Sequence, residues 1–291
     1  MSTKPFFATC GIIVVAILSQ TTPCQVAAQT PQATSSDTDA RLRQKHYRSK
    51  ANALKLVASD DQSTRLEVTE NPVMSWSGLG GWSGDVFVWS GKGRIQVVGC
   101  VGSQQVGDLL KVFQEFHSLA DEPIKEFELA PSVTWTPPTS ETRFREIPGA
   151  PNPAPTAARR LVQLRSLARQ FSVGMQVTGD NVEPSLRLLP QPIAREAAGS
   201  SDVIDSALFT FVSSSGTDPE VFLLLEARRM NGELKWVYFP ARFTTREVWM
   251  SLGGKEIWRV APIDGGDPGT RIDVPYFYRN ESTIPIGEIG G

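Results

Sequence analysis

The sequence predicts an α+β protein: curved antiparallel β-sheets built from hairpins, with an N-terminal helix and a central amphipathic helix packed on one face. Three observations carry this expectation. Residues 85–98 (DVFVWSGKGRIQVV) and 207–225 (ALFTFVSSSGTDPEVFLLL) each join an aromatic-rich strand to an aliphatic one through a Gly-containing turn, which is the pattern of an antiparallel hairpin. The two share this shape, so an internal structural repeat is expected, with the hairpins in one sheet or in two related sheets. Between them, residues 157–171 (AARRLVQLRSLARQF) place Leu161, Leu164, Ala168 and Phe171 at helical spacing, with arginines mainly elsewhere; that is one packed face and one solvated face.

The remaining elements follow in chain order. Residues 11–18 (GIIVVAIL) form a short apolar core behind a lysine, and Val26-Ala27-Ala28 precede Gln29 as a small-residue cleavage site. This reads as a secretory signal peptide over residues 1–28, too short to remain as an anchor, since a membrane-spanning helix needs about 20 apolar residues. A polar linker, 29–37, leads into a charged helical stretch over 39–56, whose apolar side is Tyr47, Ala51, Leu54 and Leu56. Residues 38–130 are expected as one α+β region holding the first hairpin, and 156–262 as a second region of helix and strands.

From Leu66 the period becomes two, giving strands around Leu66–Val68 and Pro72–Trp76. Residues 109–117 (LLKVFQEFH) fit either a strand or a short helix, and the proline-rich 131–155 is either a linker or a strap across the surface. Leu186 to Ile193, interrupted by Pro190 and Pro192, reads as an edge strand, because proline removes a ladder donor. Strands are expected near 235–239, 248–252 and 257–260, with Asn231-Gly232 and Gly253-Gly254 as turns, and 263–291 as an irregular tail.

Composition excludes several kinds of chemistry. Basic and acidic residues number 29 and 31 with no block of one sign, so there is no clustered basic face for nucleic acid. Of three cysteines, Cys10 and Cys24 lie in the signal segment; Cys100 is left as a core side chain with no disulfide partner. Only His46 and His117 are present, without metal-ligand spacing, so no metal and no cofactor is expected. Gly91-Lys92-Gly93 runs from strand to strand and is a hairpin tip, not a phosphate loop. The carboxylate pairs Asp202/Asp205, Asp218/Glu220 and Asp264/Asp267 lie beside glycine or serine and read as turn caps. The candidate catalytic residues are His117 and Glu115, a base and an acid two positions apart. Trp82, in a Gly/Ser-rich loop, is the candidate ligand-stacking residue.

Several pieces, in this order, resemble an uncharacterised family of secreted proteins from planctomycete bacteria. They are Asn71-Pro72-Val73-Met74-Ser75-Trp76-Ser77, the first hairpin, Glu115-Phe116-His117-Ser118-Leu119, the helix core 161–171, Leu186-Arg187-Leu188-Leu189-Pro190-Gln191-Pro192, and 207–228. After that Leu-Pro-Gln-Pro the family continues with aromatics, whereas here Ile193-Ala194-Arg195-Glu196 follows. The resemblance implies export and brings no activity, cofactor or catalytic residue. The expectation from sequence is a binding or structural protein of the periplasm or cell envelope, with an envelope component or protein as partner; the alternative is a hydrolase of an envelope or environmental polymer.

Overall fold

The computed structural model describes residues 35–58, 65–121, 124–130, 133–137, 144–178, 181–183, 185–197, 202–214, 216–263 and 274–289. The expected signal peptide lies outside the described residues. The expected linker does so only up to residue 34, because the first helix already begins at Ser35. Residues 35–291 form one compact unit, made mostly of curled antiparallel sheet with two α-helices among the described residues.

The chain traces nearly the same path twice. Helix α1 (Ser35–Ala53) leads to β1 (Lys55–Ala58), the short β2 (Glu67–Val68) and β3 (Met74–Ser77), then to three long strands, β4 (Trp82–Gly91), β5 (Arg94–Val106) and β6 (Leu109–Ser118). After β7 (Ile124–Ala130), β8 (Val133–Thr134) and β9 (Arg145–Glu146), the pattern begins again. Helix α2 (Ala157–Ala168) leads to β10 (Phe171–Thr178), β11 (Asn181–Glu183), the short β12 (Arg187–Leu188) and β13 (Ala194–Glu196), and the long β14 (Val203–Val212), β15 (Pro219–Met230) and β16 (Glu233–Arg242). Strands β17 (Val248–Leu252), β18 (Lys255–Val260) and β19 (Tyr276–Pro285) complete it.

The first large sheet has the order β19-β6-β5-β4-β2, with β3 also on β4; the second has the order β12-β14-β15-β16-β9, with β13 also on β14. Smaller sheets, β1-β7-β8 and β11-β10-β17-β18, accompany them. Four matched pairs of backbone hydrogen bonds establish the repeat residue by residue. Leu66 N–H to Leu56 C=O matches Leu186 to Val173; Thr69 to Val88 matches Leu189 to Thr210; Val73 to Val86 matches Ile193 to Leu208; and Leu119 to Gln96 matches Phe243 to Glu220.

The long strands are apolar on both faces, so each sheet needs cover on two sides. The inner faces pack on each other, Val86, Val88, Val98, Cys100 and Phe113 from the first sheet meeting Leu208, Phe222, Leu224, Phe239 and Ala241 from the second. The outer face of the first sheet (Phe87, Trp89, Val97, Phe116) is covered by Tyr47 and Ala51 of α1, with Trp135 and Phe277. That of the second (Phe209, Phe211, Leu223, Leu225) is covered by Leu164, Leu167 and Ala168 of α2 and by Val173, Met175, Val248 and Met250. The helices therefore cover different sheets and not one common face.

Polar anchors fix the two sheets against each other. Arg94 of β5 donates to Glu226 of β15 through Nε (3.1 Å) and Nη2 (3.0 Å) and also pairs with Asp121, which Arg228 engages in turn. Glu226 is wholly buried and accepts a further hydrogen bond from Ser206 at 3.3 Å. A second buried carboxylate, Asp205, is held by Arg160 of α2 at 2.7 Å and by Arg195 of β13 at 2.7 Å, which ties helix to sheet.

Several expectations are corrected. The second helix ends at Ala168, and Phe171 opens β10 instead of closing the helical face. Residues 109–117 are strand β6, the inward and outward sides of which are both buried. Of the segment 131–155, the described residues include β9, which adds to the edge of β16, and the buried Trp135, which donates from its indole to the Val274 carbonyl at 2.7 Å. The tail 263–291, expected to be irregular, contributes β19, which pairs with β6 along its length. Lys92 and Gly93 at the first hairpin tip both have positive φ (51° and 72°), the backbone of a tight turn whose twist matches its strands.

Replacing Arg94 by Ala leaves Glu226 in the inter-sheet core with its two Arg94 hydrogen bonds gone and only Arg228 Nε, 3.4 Å away, as counter-charge. A loss of about 3–5 kcal/mol is expected, read as a lowered midpoint in denaturant unfolding; a change under about 1 kcal/mol would show that the pair does not hold the sheets.

Candidate functional site

At one end of the inter-sheet core the sheets part and leave an open cleft of about 480 Å³. Its walls are aromatic: Trp76 of β3, Trp82 at the start of β4, Phe113 of β6, and Tyr276 and Tyr278 of β19. Three carboxyl groups line it: Glu115 of β6, Asp218 in the β14–β15 turn and Glu220 of β15.

Local chain geometry explains how these groups meet. In the first hairpin Trp89 faces Val97 and Ser90 faces Ile95, which leaves Gln96 unpaired; in the second, Phe211 faces Val221 and Val212 faces Pro219, which leaves Glu220 unpaired. Both hairpins thus carry a β-bulge at the same step. A bulge re-aims a side chain, and at Glu220 it lets a carboxyl line the cleft from the head of a strand that continues with apolar residues 221–225. The turn before it packs against β3: a Cβ on Gly216 would lie 3.0 Å from the Ser77 carbonyl oxygen, so this close approach requires glycine. Glu115 reaches the cleft by strand alternation alone, and β19 brings Tyr276 in, its hydroxyl donating to Glu115 Oε1 at 2.6 Å.

The electrostatics are those of a partly dehydrated acid cluster. Burial pushes the Glu115 carboxyl well up, and the neighbouring Asp218 and Glu220 add to the shift against the Tyr276 hydrogen bond. Burial, then the adjacent Glu220, raise Asp218 to about 8, with Arg246 opposing. Glu220 is also raised by burial, against Arg246 and a hydrogen bond with Thr244. Arg246 stands 3.8 Å from Glu220. Arg242 is directed elsewhere: it donates to the carbonyls of Thr244 (2.9 Å), Ala261 (2.9 Å) and Arg246 (2.7 Å) and lies over the Tyr276 ring. Glu183 contributes at longer range and is engaged by the Ser214 N–H at 2.7 Å.

The structure separates the residues singled out in the sequence. Glu115 and Trp82 line the same cleft, and Trp82 is half-buried with its ring centroid 5.5 Å from that of Phe113. His117, although on the same face of β6, lines a different cleft with Phe239, Arg242 and Trp258. Its Nδ1 lies 2.9 Å from the Ser118 carbonyl, so that nitrogen carries the proton. Glu115 and His117 therefore do not form an acid–base pair over one site. Cys100 is a buried core residue that accepts a hydrogen bond from the Trp76 indole at 3.4 Å. Asp218 and Glu220, read as turn caps, are instead cleft groups, and Asp205 is a structural ion-pair partner; Asp264 and Asp267 lie outside the described residues. Among the described residues no three His, Cys, Asp or Glu side chains group closely enough to hold a metal ion, and no helix is long and apolar enough to cross a membrane.

Family models, curated proteins and solved structures give no match to this chain.

Asp218 carries a sign that can be checked. Its folded pKa lies above the unfolded value, so the folded state holds the extra proton and stability falls as pH rises from about 4 through about 8. Asp218→Asn removes this dependence. Its melting temperature at pH 8.5 should exceed that of the parent by about 2–4 °C per kcal/mol recovered, and the difference should vanish near pH 4; a variant less stable at pH 8.5 would show that the carboxylate has a partner that stabilises it.

Proposed function

We propose that this is an exported, non-catalytic binding protein of the periplasm or cell envelope, whose ligand seats in the acidic, aromatic-walled cleft between the two sheets. The observation that carries the reading is Glu115: it is about nine-tenths buried at the cleft and uses only Oε1, toward Tyr276, in a hydrogen bond within the protein. Such a group has its desolvation already met by the fold and its remaining acceptor available to a ligand. Export rests on the N-terminal apolar run and small-residue cleavage site, and the resemblance to secreted planctomycete proteins agrees with it.

Hydrolysis is the second reading, and one observation favours it. Asp218, raised to about 8, beside the less exposed Glu220 is a pair of carboxyls in distinct surroundings, which is how an acid and a base are set apart in one site. His117 has no part in this version, since it opens on another cleft.

Trp82→Ala tests the binding reading. The half-exposed ring leaves the main core intact when removed, so the melting temperature should hold while retention on isolated envelope material drops by about tenfold, the loss of one well-placed aromatic contact. Unchanged retention would remove the cleft from the binding reading, and release of soluble fragments from that material by the parent but not by Asp218→Asn would favour hydrolysis.

A further inference from the structure

We infer that the cleft recognises a guanidinium or ammonium group on an apolar stem, held by Glu115, Asp218 and Glu220 and flanked by Trp76, Trp82 and Tyr276. This deepens the binding reading above and rests on it. The argument comes from the opposite end of the molecule, which the repeat makes equivalent. The matching hydrogen bonds of Leu119 to Gln96 and of Phe243 to Glu220 equate Gln96 with Glu220, and the common bulge carries the match two residues back, from Arg94 to Asp218.

At the Arg94 end the protein seats guanidinium groups of its own. Arg94 lies between Glu226 and Asp121 with its Cζ 5.5 Å from the centre of the Phe144 ring, and Arg228 stacks on that ring at 4.4 Å. The mouth between the sheets thus accommodates carboxylates, an aromatic ring and a guanidinium together, a combination in which charge-assisted hydrogen bonds and ring attraction act on one group.

At the Asp218 end the carboxyls and the rings are present, but the position of Arg94 holds an acid. Against Glu115, Asp218 and Glu220 the cleft lining offers one guanidinium, Arg246, whose side chain is 46% exposed. Arg242 is occupied by backbone carbonyls. The buried Glu115 keeps Oε2 without a hydrogen-bond donor from the protein. A ligand cation entering between the rings supplies the positive charge that Arg94 supplies at the other end, and as it binds, protons held by the carboxyls are released to solvent. The cleft volume of about 480 Å³ suits a group of that size on a short stem. A metal ion is a poorer match, because the carboxyls are not grouped around one point.

The test is calorimetric titration of the purified protein at pH 7.5 with N-acetyl-arginine amide and with its uncharged isostere, N-acetyl-citrulline amide. The arginine derivative should bind, and the citrulline derivative at least about tenfold more weakly. Asp218→Asn should weaken the arginine derivative by about tenfold without lowering the melting temperature, and Glu115→Gln provides a second variant should the first misfold. Agmatine and the tripeptide Gly-Arg-Gly separate a small diffusible cation from an arginine side chain of a polypeptide. Equal binding of the two amides, or undiminished binding by both variants, overturns the inference. If the arginine derivative fails to bind while Trp82→Ala still loses envelope retention, the cation is wrong and the cleft stands as a site for an uncharged ligand; if both fail, the binding reading falls as well.

Discussion

Burial on both faces of the long strands is the constraint from which the rest of this fold follows. A strand such as β5, buried from Arg94 through Ser103, cannot belong to a sheet that shows one side to water. Each large sheet must therefore find two covers. The repeat solves this economically: each half brings its own outer cover, a helix and added strands, and the two inner faces cover each other. Neither half has a closed inner face without its counterpart, and β9 and β19 each add to the edge of a large sheet.

The same arrangement explains why polar chemistry collects at the two ends of the inter-sheet core. Along the middle, alternation sends valine, leucine and phenylalanine inward. At the ends the hairpin turns, bulges and edge strands break the alternation, and charged residues reach the space between the sheets. One end is neutralised within the chain by Arg94, Arg228, Glu226 and Asp121. The other concentrates carboxyls whose neutral form burial favours, with aromatic rings around them. A buried ion cluster adds little net stability over a well-packed apolar one, so its value at the first end lies in fixing how the sheets meet. At the second end three carboxyls share the cleft lining with one guanidinium, Arg246.

Much of the local structure was legible in the residues. Both hairpins could be read from Val86, Val88, Phe209 and Phe211 alternating around Gly-containing turns, while the likeness between them left one sheet and two related sheets equally open. Trp82 and Glu115, singled out for different reasons and without a sign that they meet, line one cleft. The pairing of Glu115 with His117 was misleading because two residues on one strand face share a direction but not a cavity: β19 and the loop after β16 divide the space between them. Asp218 and Glu220 were passed over as turn residues. The only sequence signal for Glu220 was a charged residue directly before the apolar run 221–225, and its use depends on a bulge that appears only when β14 and β15 are paired.

The sequence by itself determined periodicity and turn positions, because these depend on neighbours within a few residues. Tertiary structure alone decided which sheet each helix covers, that residues 276–285 form an edge strand, that Arg94 meets Glu226 at a separation of 132 residues, and that three carboxyls from β6, the β14–β15 turn and β15 share one cleft. Those outcomes turn on how two doubly buried sheets face each other, and no local pattern in the chain encodes the distance between residues that only that contact brings together.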